Sequence, residues 1–103
     1  MTREDLAPGY QIAQSCHALR QFSEEHPEVD KEWFNKSNYI ACLSAKDEGS
    51  LIKLIGRCEE RGIRFSIFFE PDLDYQITAV ALEPGISSKK LCSNFKLALN
   101  KKE

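Results

Sequence analysis

Apolar residues recur at helical spacing in the first quarter of the chain. Four of them follow one another at steps of four, three and three residues, which places them on one face of an α-helix. These residues are Ile12, Cys16, Leu19 and Phe22. Pro8 gives the segment a turn-like start, and Pro27 prevents its continuation. The pattern predicts a helix over residues 9–25 that packs through this apolar stripe, with His17 on a different face.

Short apolar runs and amphipathic segments follow. Strands are predicted over residues 39–44, 63–70 and 77–83, and helices over residues 30–35, 48–61 and 87–99. Asp47 suits the N-cap of the middle helix, and Gly62 stands where a left-handed residue would end it. The strand over residues 39–44 is apolar on both faces, as an internal strand would be. Trp33 and Phe34 are expected to dock in the core.

The order strand–helix–strand over residues 39–70 predicts a βαβ unit, in which the two strands run parallel. The strand over residues 77–83 follows through a short turn, so it should run antiparallel to the one before it. We therefore expect a single α/β domain over residues 1–103, built in three layers, with helices packed on a small mixed sheet. Ligands of such sheets bind at the carboxyl ends of the strands. The turn places Asp72 and Thr78 close together at that edge.

The bulk composition is that of one ordinary globular domain. The 103 residues are 42% hydrophobic and 29% charged, and no apolar run approaches the roughly 18 residues of a membrane span. The charged N-terminus lacks the apolar segment of a signal peptide, so we expect a cytoplasmic protein without a membrane partner. A net charge of −2 argues against a surface covered in positive charge for nucleic acid.

The C-terminal stretch carries a local excess of positive charge. Its lysines are Lys89, Lys90, Lys96, Lys101 and Lys102. They suit a phosphate-binding patch, and they equally suit a solvated helix end, where cations complement the helix dipole.

The four cysteines are widely spaced and include no Cys-x-x-Cys pair. Neither a zinc ribbon nor a thioredoxin-type motif is supported, so no metal is expected. All four fall in apolar stretches and are predicted to behave as small buried hydrophobic residues. They are Cys16, Cys42, Cys58 and Cys92.

Three local patterns resemble one family. Residues 6–18, Leu-Ala-Pro-Gly-Tyr-Gln-Ile-Ala-Gln-Ser-Cys-His-Ala, are similar to the first-helix motif of the archaeal/eukaryotic-type (type II) peptidyl-tRNA hydrolases. Residues 45–51 resemble the segment that leads into that family's second main helix. Residues 70–72 and 77–85 resemble its Asp-containing turn and its Thr-bearing last strand. The order and spacing of the elements match over nearly the whole chain.

The resemblance implies hydrolysis of the ester between a peptide and the 3′ ribose of tRNA, without metal or cofactor. Of the family's active-site set, His17, Asp72 and Thr78 match by position. Asp72 would orient or activate water, Thr78 would donate to the carbonyl or polarise the water, and His17 would act as acid or base. Gln14 matches a further motif position. We assign it to the substrate-binding set together with Lys89 and Lys90.

Three features depart from the family pattern. Tyr10 stands at the position of a Lys, and a neutral phenol donates a hydrogen bond but supplies no charge. The turn carries three acids, Glu70, Asp72 and Asp74, which would repel RNA phosphate unless they are paired or bridged by a cation. The family's first strand is expected to be absent or a reduced edge, because residues 1–5 are few and charged.

Two alternatives to a peptidyl-tRNA hydrolase stay open. A family member that kept the fold and lost the chemistry would serve as an RNA- or protein-binding module. The second alternative is a hydrolase of a different small acylated substrate, for which a phosphate-binding positive charge is less needed. A homodimer is plausible in each case, because a missing edge strand would leave sheet surface to cover.

Overall fold

The chain forms one five-stranded mixed sheet with helices on both faces. The computed structural model of the chain describes residues 1–100. Its elements are β1 (Thr2–Arg3), α1 (Pro8–Glu25), α2 (Pro27–Asn35), β2 (Leu43–Ala45), α3 (Glu48–Arg61), β3 (Phe65–Glu70), a 3-10 turn (Pro71–Leu73), β4 (Gln76–Leu82), α4 (Ile86–Leu91) and β5 (Lys96–Leu97). The predicted single α/β fold with a mixed sheet is thereby confirmed.

The strand order is β3-β4-β1-β2-β5, and only β1 and β2 are parallel neighbours among the described strands. The antiparallel pairing of β3 with β4 agrees with the prediction. Strands β2 and β3 also run in the same direction, as the βαβ pattern predicts, but β4 and β1 lie between them. The adjacent parallel pair is instead joined through α1 and α2.

Strand β1 lies at the centre of the sheet, although it has only two residues. Thr2 pairs with Ala79 on one side and with Ser44 on the other, and both Thr2 and Arg3 are buried. The Arg3 guanidinium lies 2.9 Å from the Asp5 carboxylate. The expectation of an absent or reduced edge strand is therefore wrong. The charge does not exclude Arg3 from the centre of the fold, because it is paired there.

Helix α3 forms as the sequence predicts. The Asp47 carboxylate accepts a hydrogen bond from the Ser50 backbone at 3.0 Å, and Gly62 ends the helix with φ of 67°. Its apolar stripe is buried against the sheet. Leu51 is packed with Ala45 and Val80, while the second half of the helix packs against Ile63 and Leu91. This face of the sheet is the main hydrophobic core.

Helix α1 is present but is rotated relative to the prediction. Its buried residues are Gln11, Gln14, Ala18 and Phe22. Of the predicted stripe only Phe22 is buried, whereas Ile12 is 54% exposed and Leu19 is also exposed. The helix therefore buries two glutamines. Gln14 has polar partners on the sheet, which are described below, and the Gln11 amide nitrogen donates to the Leu6 carbonyl at 2.6 Å in the segment between β1 and α1.

Several element boundaries also differ from the predictions. Residues 39–42 are exposed and lie outside β2, and residues 87–99 form the short α4, a turn and β5 instead of one helix. Phe34 is 62% exposed, and Trp33 donates to the Tyr39 carbonyl at 2.7 Å. Cys58 is buried, and burial raises the pKa of its thiol to about 11. Cys16 and Cys42 are exposed, contrary to expectation.

Within residues 1–100, none of the helices has the length and apolar character needed to cross a membrane.

Candidate functional site

A chain of three buried polar side chains links α1, β3 and β4. The Gln14 amide nitrogen donates to Glu70 at 2.8 Å, and the Thr78 hydroxyl donates to the Gln14 amide oxygen at 2.5 Å. Gln14 and Thr78 are almost inaccessible to solvent, and Glu70 is 8% exposed. A buried polar group is costly unless it is paired. The pairing explains why α1 buries Gln14 in place of its apolar stripe.

The chain of hydrogen bonds has a defined direction. An ionised carboxylate can only accept, so the Gln14 amide must turn its nitrogen toward Glu70. Its oxygen then faces Thr78, and the Thr78 hydroxyl must donate to it. Thr78 is 0% exposed. The hydroxyl proton is therefore engaged by Gln14, and Thr78 lies beneath the exposed Asp72 turn.

A β-bulge turns Thr78 toward α1. Phe68 pairs with Ala79 and Phe69 pairs with Ile77, so Thr78 is an extra residue on β4 without an opposing partner. Bulges of this kind redirect a side chain. Ile77 and Val80 pack on the same α3 face although they are three residues apart. Without the bulge, the alternation of the strand would place them on opposite faces.

Glu70 also holds the turn that carries Asp72. Its second carboxylate oxygen accepts from the Asp72 backbone N–H at 3.0 Å. The pKa of the Glu70 carboxyl is lowered, chiefly by this hydrogen bond, then by the one from Gln14, and least by the nearby His17. Glu70 therefore stays ionised at neutral pH with both oxygens engaged. It anchors the site, and Asp72 remains exposed to solvent.

The end of the Asp72 turn has a strained backbone. Asp74 and Tyr75 both have positive φ, at 53° and 61°. Asp tolerates this left-handed region, but an aromatic residue adopts it at a cost of about 1–2 kcal/mol. The Tyr75 N–H donates to the Glu70 carbonyl at 2.9 Å. Strain of this kind persists where the surrounding contacts determine the backbone, and such positions cluster at functional sites.

The Tyr10 phenol lies within the electrostatic influence of Glu70 and Asp72. Desolvation raises the pKa of the Tyr10 phenol, and the negative charges of Glu70 and Asp72 raise it further. The phenol is therefore protonated at neutral pH and can donate a hydrogen bond beside Asp72. It supplies no positive charge there.

His17 lies one helical turn after Gln14 on the side of α1 that faces β3. Its ring stacks on Phe68 with centroids 4.6 Å apart and an angle of 20° between the planes. A shallow cavity of about 280 Å³ adjoins the ring and is also lined by Arg20 and Glu24. His17 is exposed. His17 therefore lies at the interface between α1 and β3, the same interface that contains Gln14 and Glu70.

The basic residues of the predicted patch lie elsewhere. Lys89 and Lys90 are exposed in α4, which follows the far end of β4 from the Asp72 turn. The structure does not bring them together with Asp72. Lys96 lies in β5 at the other edge of the sheet, and Lys101 and Lys102 lie outside the described residues.

A larger cavity, of about 330 Å³, lies on the β2–β5 side of the molecule. Its lining includes Gln11, Ser44 and Lys96, and it contains none of the predicted catalytic residues. In the described part of the chain, no group of three or more His, Cys, Asp or Glu side chains is placed to hold a metal ion.

Sequence reasoning missed Glu70 as an organising residue, because it treated this side chain only as an additional charge. One signal was present. Ser66, Phe68 and Glu70 alternate along β3 and therefore share a face. This face meets α1, so a buried partner for Gln14 could have been sought there.

The fold and the site define a class of protein: a single α/β domain whose first helix packs on the sheet through polar side chains beside an exposed carboxylate turn. The sequence matches the model of the family described as "Peptidyl-tRNA hydrolase PTH2" over residues 2–98. The chain belongs to this family, which confirms the resemblance stated above. A search of curated proteins found no match.

Proposed function

We propose that the protein hydrolyses the ester between a peptide, or an N-blocked amino acid, and tRNA, and that it does so in the cytoplasm. Membership of the peptidyl-tRNA hydrolase family supports the substrate class. The observation that carries the proposal is the exposed Asp72 on a turn that Glu70 holds in place. The negative charges of both acids act on the Tyr10 phenol. No metal or cofactor enters the proposed reaction.

In the proposed reaction, Asp72 orients a water molecule against the ester carbonyl and accepts its proton as the water oxygen attacks. The carbonyl electron pair moves to the oxygen, and the protonated Tyr10 phenol donates a hydrogen bond to this oxyanion. The intermediate collapses as the bond to the ribose oxygen breaks. The leaving oxygen takes the proton that Asp72 accepted from the water, either directly or relayed through His17, so that one water yields the acid and the alcohol.

Gln14 and Thr78 have a positioning role in this proposal. Both are buried, so neither side chain is accessible to a substrate at the surface. Gln14 fixes one oxygen of Glu70, and the other oxygen fixes the Asp72 backbone. The sequence-based role of Thr78 as a donor to the substrate is therefore replaced by support of this network.

The tRNA would contact more of the surface than the turn alone. The acids of the turn repel phosphate, so we expect basic residues at a distance from the ester to bind the tRNA phosphates. The molecule is 33 Å in its longest dimension, and a tRNA is large enough to extend across it to Lys89 and Lys90. We place the tRNA phosphates there. This contact would be salt-dependent.

The test is release of peptide from an N-blocked aminoacyl-tRNA by wild type, Asp72→Asn and Asp74→Asn. Asp72→Asn should lower kcat by about 10²–10⁴-fold, because the proton acceptor is lost. Asp74→Asn is the matched control, since it removes an exposed charge from the same turn and Asn tolerates the left-handed backbone. It should leave kcat close to wild type. Tyr10→Phe should lower kcat less than Asp72→Asn.

Equal activity of wild type and Asp72→Asn would refute the assignment of Asp72. Absence of peptide release by wild type, together with salt-dependent tRNA binding, would refute the hydrolase and favour the RNA-binding module.

A further inference from the structure

Beside the bulge at Thr78, three backbone groups of β4 form hydrogen bonds with side chains from other elements. The Ile77 N–H donates to the Glu48 carboxylate at 2.9 Å, and the Ile77 carbonyl accepts from the Arg3 guanidinium at 3.1 Å. The Thr78 carbonyl accepts from the Thr2 hydroxyl at 3.4 Å. Buried backbone groups require such partners, so the side chains hold the bulge in place.

Glu48 and Arg3 approach the bulge from the sheet face opposite to α1. Glu48 is the first residue of α3, and Arg3 shares its side of β1 with the α3 core. Neither residue hydrogen-bonds to Gln14, Glu70 or Asp72 within the described part of the chain. Both charged side chains form hydrogen bonds with the backbone of Ile77, the residue immediately before Thr78.

Arg3 is itself fixed in position. Two of its guanidinium nitrogens donate to the Asp5 carboxylate, at 3.0 and 2.9 Å, and a third nitrogen donates to the Gln76 side chain at 2.9 Å. This planar, multidentate arrangement suits Arg and cannot be reproduced by Lys. The position of the Ile77 carbonyl is thus tied to two further residues.

We propose that Glu48 and Arg3 are positioning residues of the candidate site, which clamp the backbone at Ile77 and thereby aim Thr78 at Gln14. The direction of the effect runs from Ile77 to Thr78, then through Gln14 and Glu70 to the Asp72 turn. The effect of this clamp on catalysis rests on the proposed function. The clamp as a structural feature does not depend on that function.

The test compares Glu48→Ala, Glu48→Gln and the matched control Glu59→Ala, which removes an exposed carboxylate from the same helix. NMR would follow hydrogen exchange of the Ile77 amide and the side-chain amide resonances of Gln14. In Glu48→Ala, exchange at Ile77 should accelerate and the Gln14 resonances should shift. Glu48→Gln keeps an accepting oxygen and should restore both signals, and Glu59→Ala should leave them unchanged.

In the hydrolysis assay, Glu48→Ala should lower kcat by about 10–100-fold with KM unchanged, since misplacement of a site costs turnover. Arg3→Lys is a second variant that keeps the charge and loses the planar fork; it should shift the Gln14 resonances in the same way. Unchanged Gln14 resonances in both variants would overturn the clamp. A wild type that shows no hydrolysis would refute the proposed function alone, because the NMR comparison still decides the clamp.

Discussion

Helices α1 and α3 cover opposite faces of the same sheet but pack on it by different means. Helix α3 buries Leu51, Leu54 and Cys58 in an apolar core. Helix α1 meets alternate residues of β3 through one stacked pair and two hydrogen-bonded pairs. These pairs are Gln14–Glu70, His17–Phe68 and Glu25–Ser66. Helix α3 therefore stabilises the fold through apolar burial, whereas α1 packs on β3 mainly through polar and stacked side chains.

The largest expected effect lies on α3. Leu51 is 0% exposed and packs against Val80 and Ala45, so Leu51→Ala should reduce the free energy of unfolding by about 2–5 kcal/mol. The neighbouring Ile52 is 53% exposed, and Ile52→Ala should change it by no more than about 0.5 kcal/mol. Urea unfolding measures both. Similar losses for the two variants would mean that α3 has no preferred buried face.

The second comparison exchanges polar and apolar residues on α1. Gln14→Leu leaves the buried Thr78 hydroxyl without its acceptor, so it should cost about 1–3 kcal/mol of unfolding free energy and most of the hydrolytic activity. Ile12→Gln, on the exposed side, should change stability by no more than about 0.5 kcal/mol. The sequence pattern predicts the reverse order. Unfolding curves that followed the sequence pattern would show that α1 packs through its apolar stripe.

The contrast between the helices explains which elements could be predicted. Helix α3 was predicted with its boundaries and buried face, because its cap, its stripe and its terminal glycine all agree with one another. Helix α1 was predicted, but its buried face was not. Periodicity assumes that the buried side is apolar, and the polar partners of Gln14 come from strands that are 56 and 64 residues away.

Strand β1 was missed for a related reason. A strand of two residues carries no periodicity, and the sequence does not reveal that Arg3 is paired with Asp5 and Gln76. The turn between β3 and β4 predicts that Asp72 and Thr78 lie close together. The structure links them through Gln14 and Glu70. The bulge was not predictable, because it appears only in the register of two paired strands.

The smallest expected effect concerns pH and again separates the two helices. The pKa of Glu25 on α1 is lowered, chiefly by the hydrogen bond from Ser66 and then by the one from Gln21. Because the folded pKa lies below the unfolded value, the contribution is fully present above the unfolded pKa, and it is lost as the pH falls through the folded pKa. Glu25 is exposed, so screening keeps the effect below about 1 kcal/mol.

Urea unfolding of wild type and Glu25→Gln at pH 7 and at pH 3 measures this contribution. Wild type should be the more stable at pH 7, and the difference should shrink at pH 3, because pH 3 lies below the unfolded pKa and the contribution of the ionised carboxylate declines there. Glu60→Gln is the control, because it removes an exposed carboxylate from α3 without removing a hydrogen bond to Ser66. A difference for Glu25 that is as large at pH 3 as at pH 7 would mean that the hydrogen bond to Ser66 does not depend on the charge. The hydrogen bonds between α1 and β3 would then stabilise the fold without a contribution from ionisation, as the apolar contacts of α3 do.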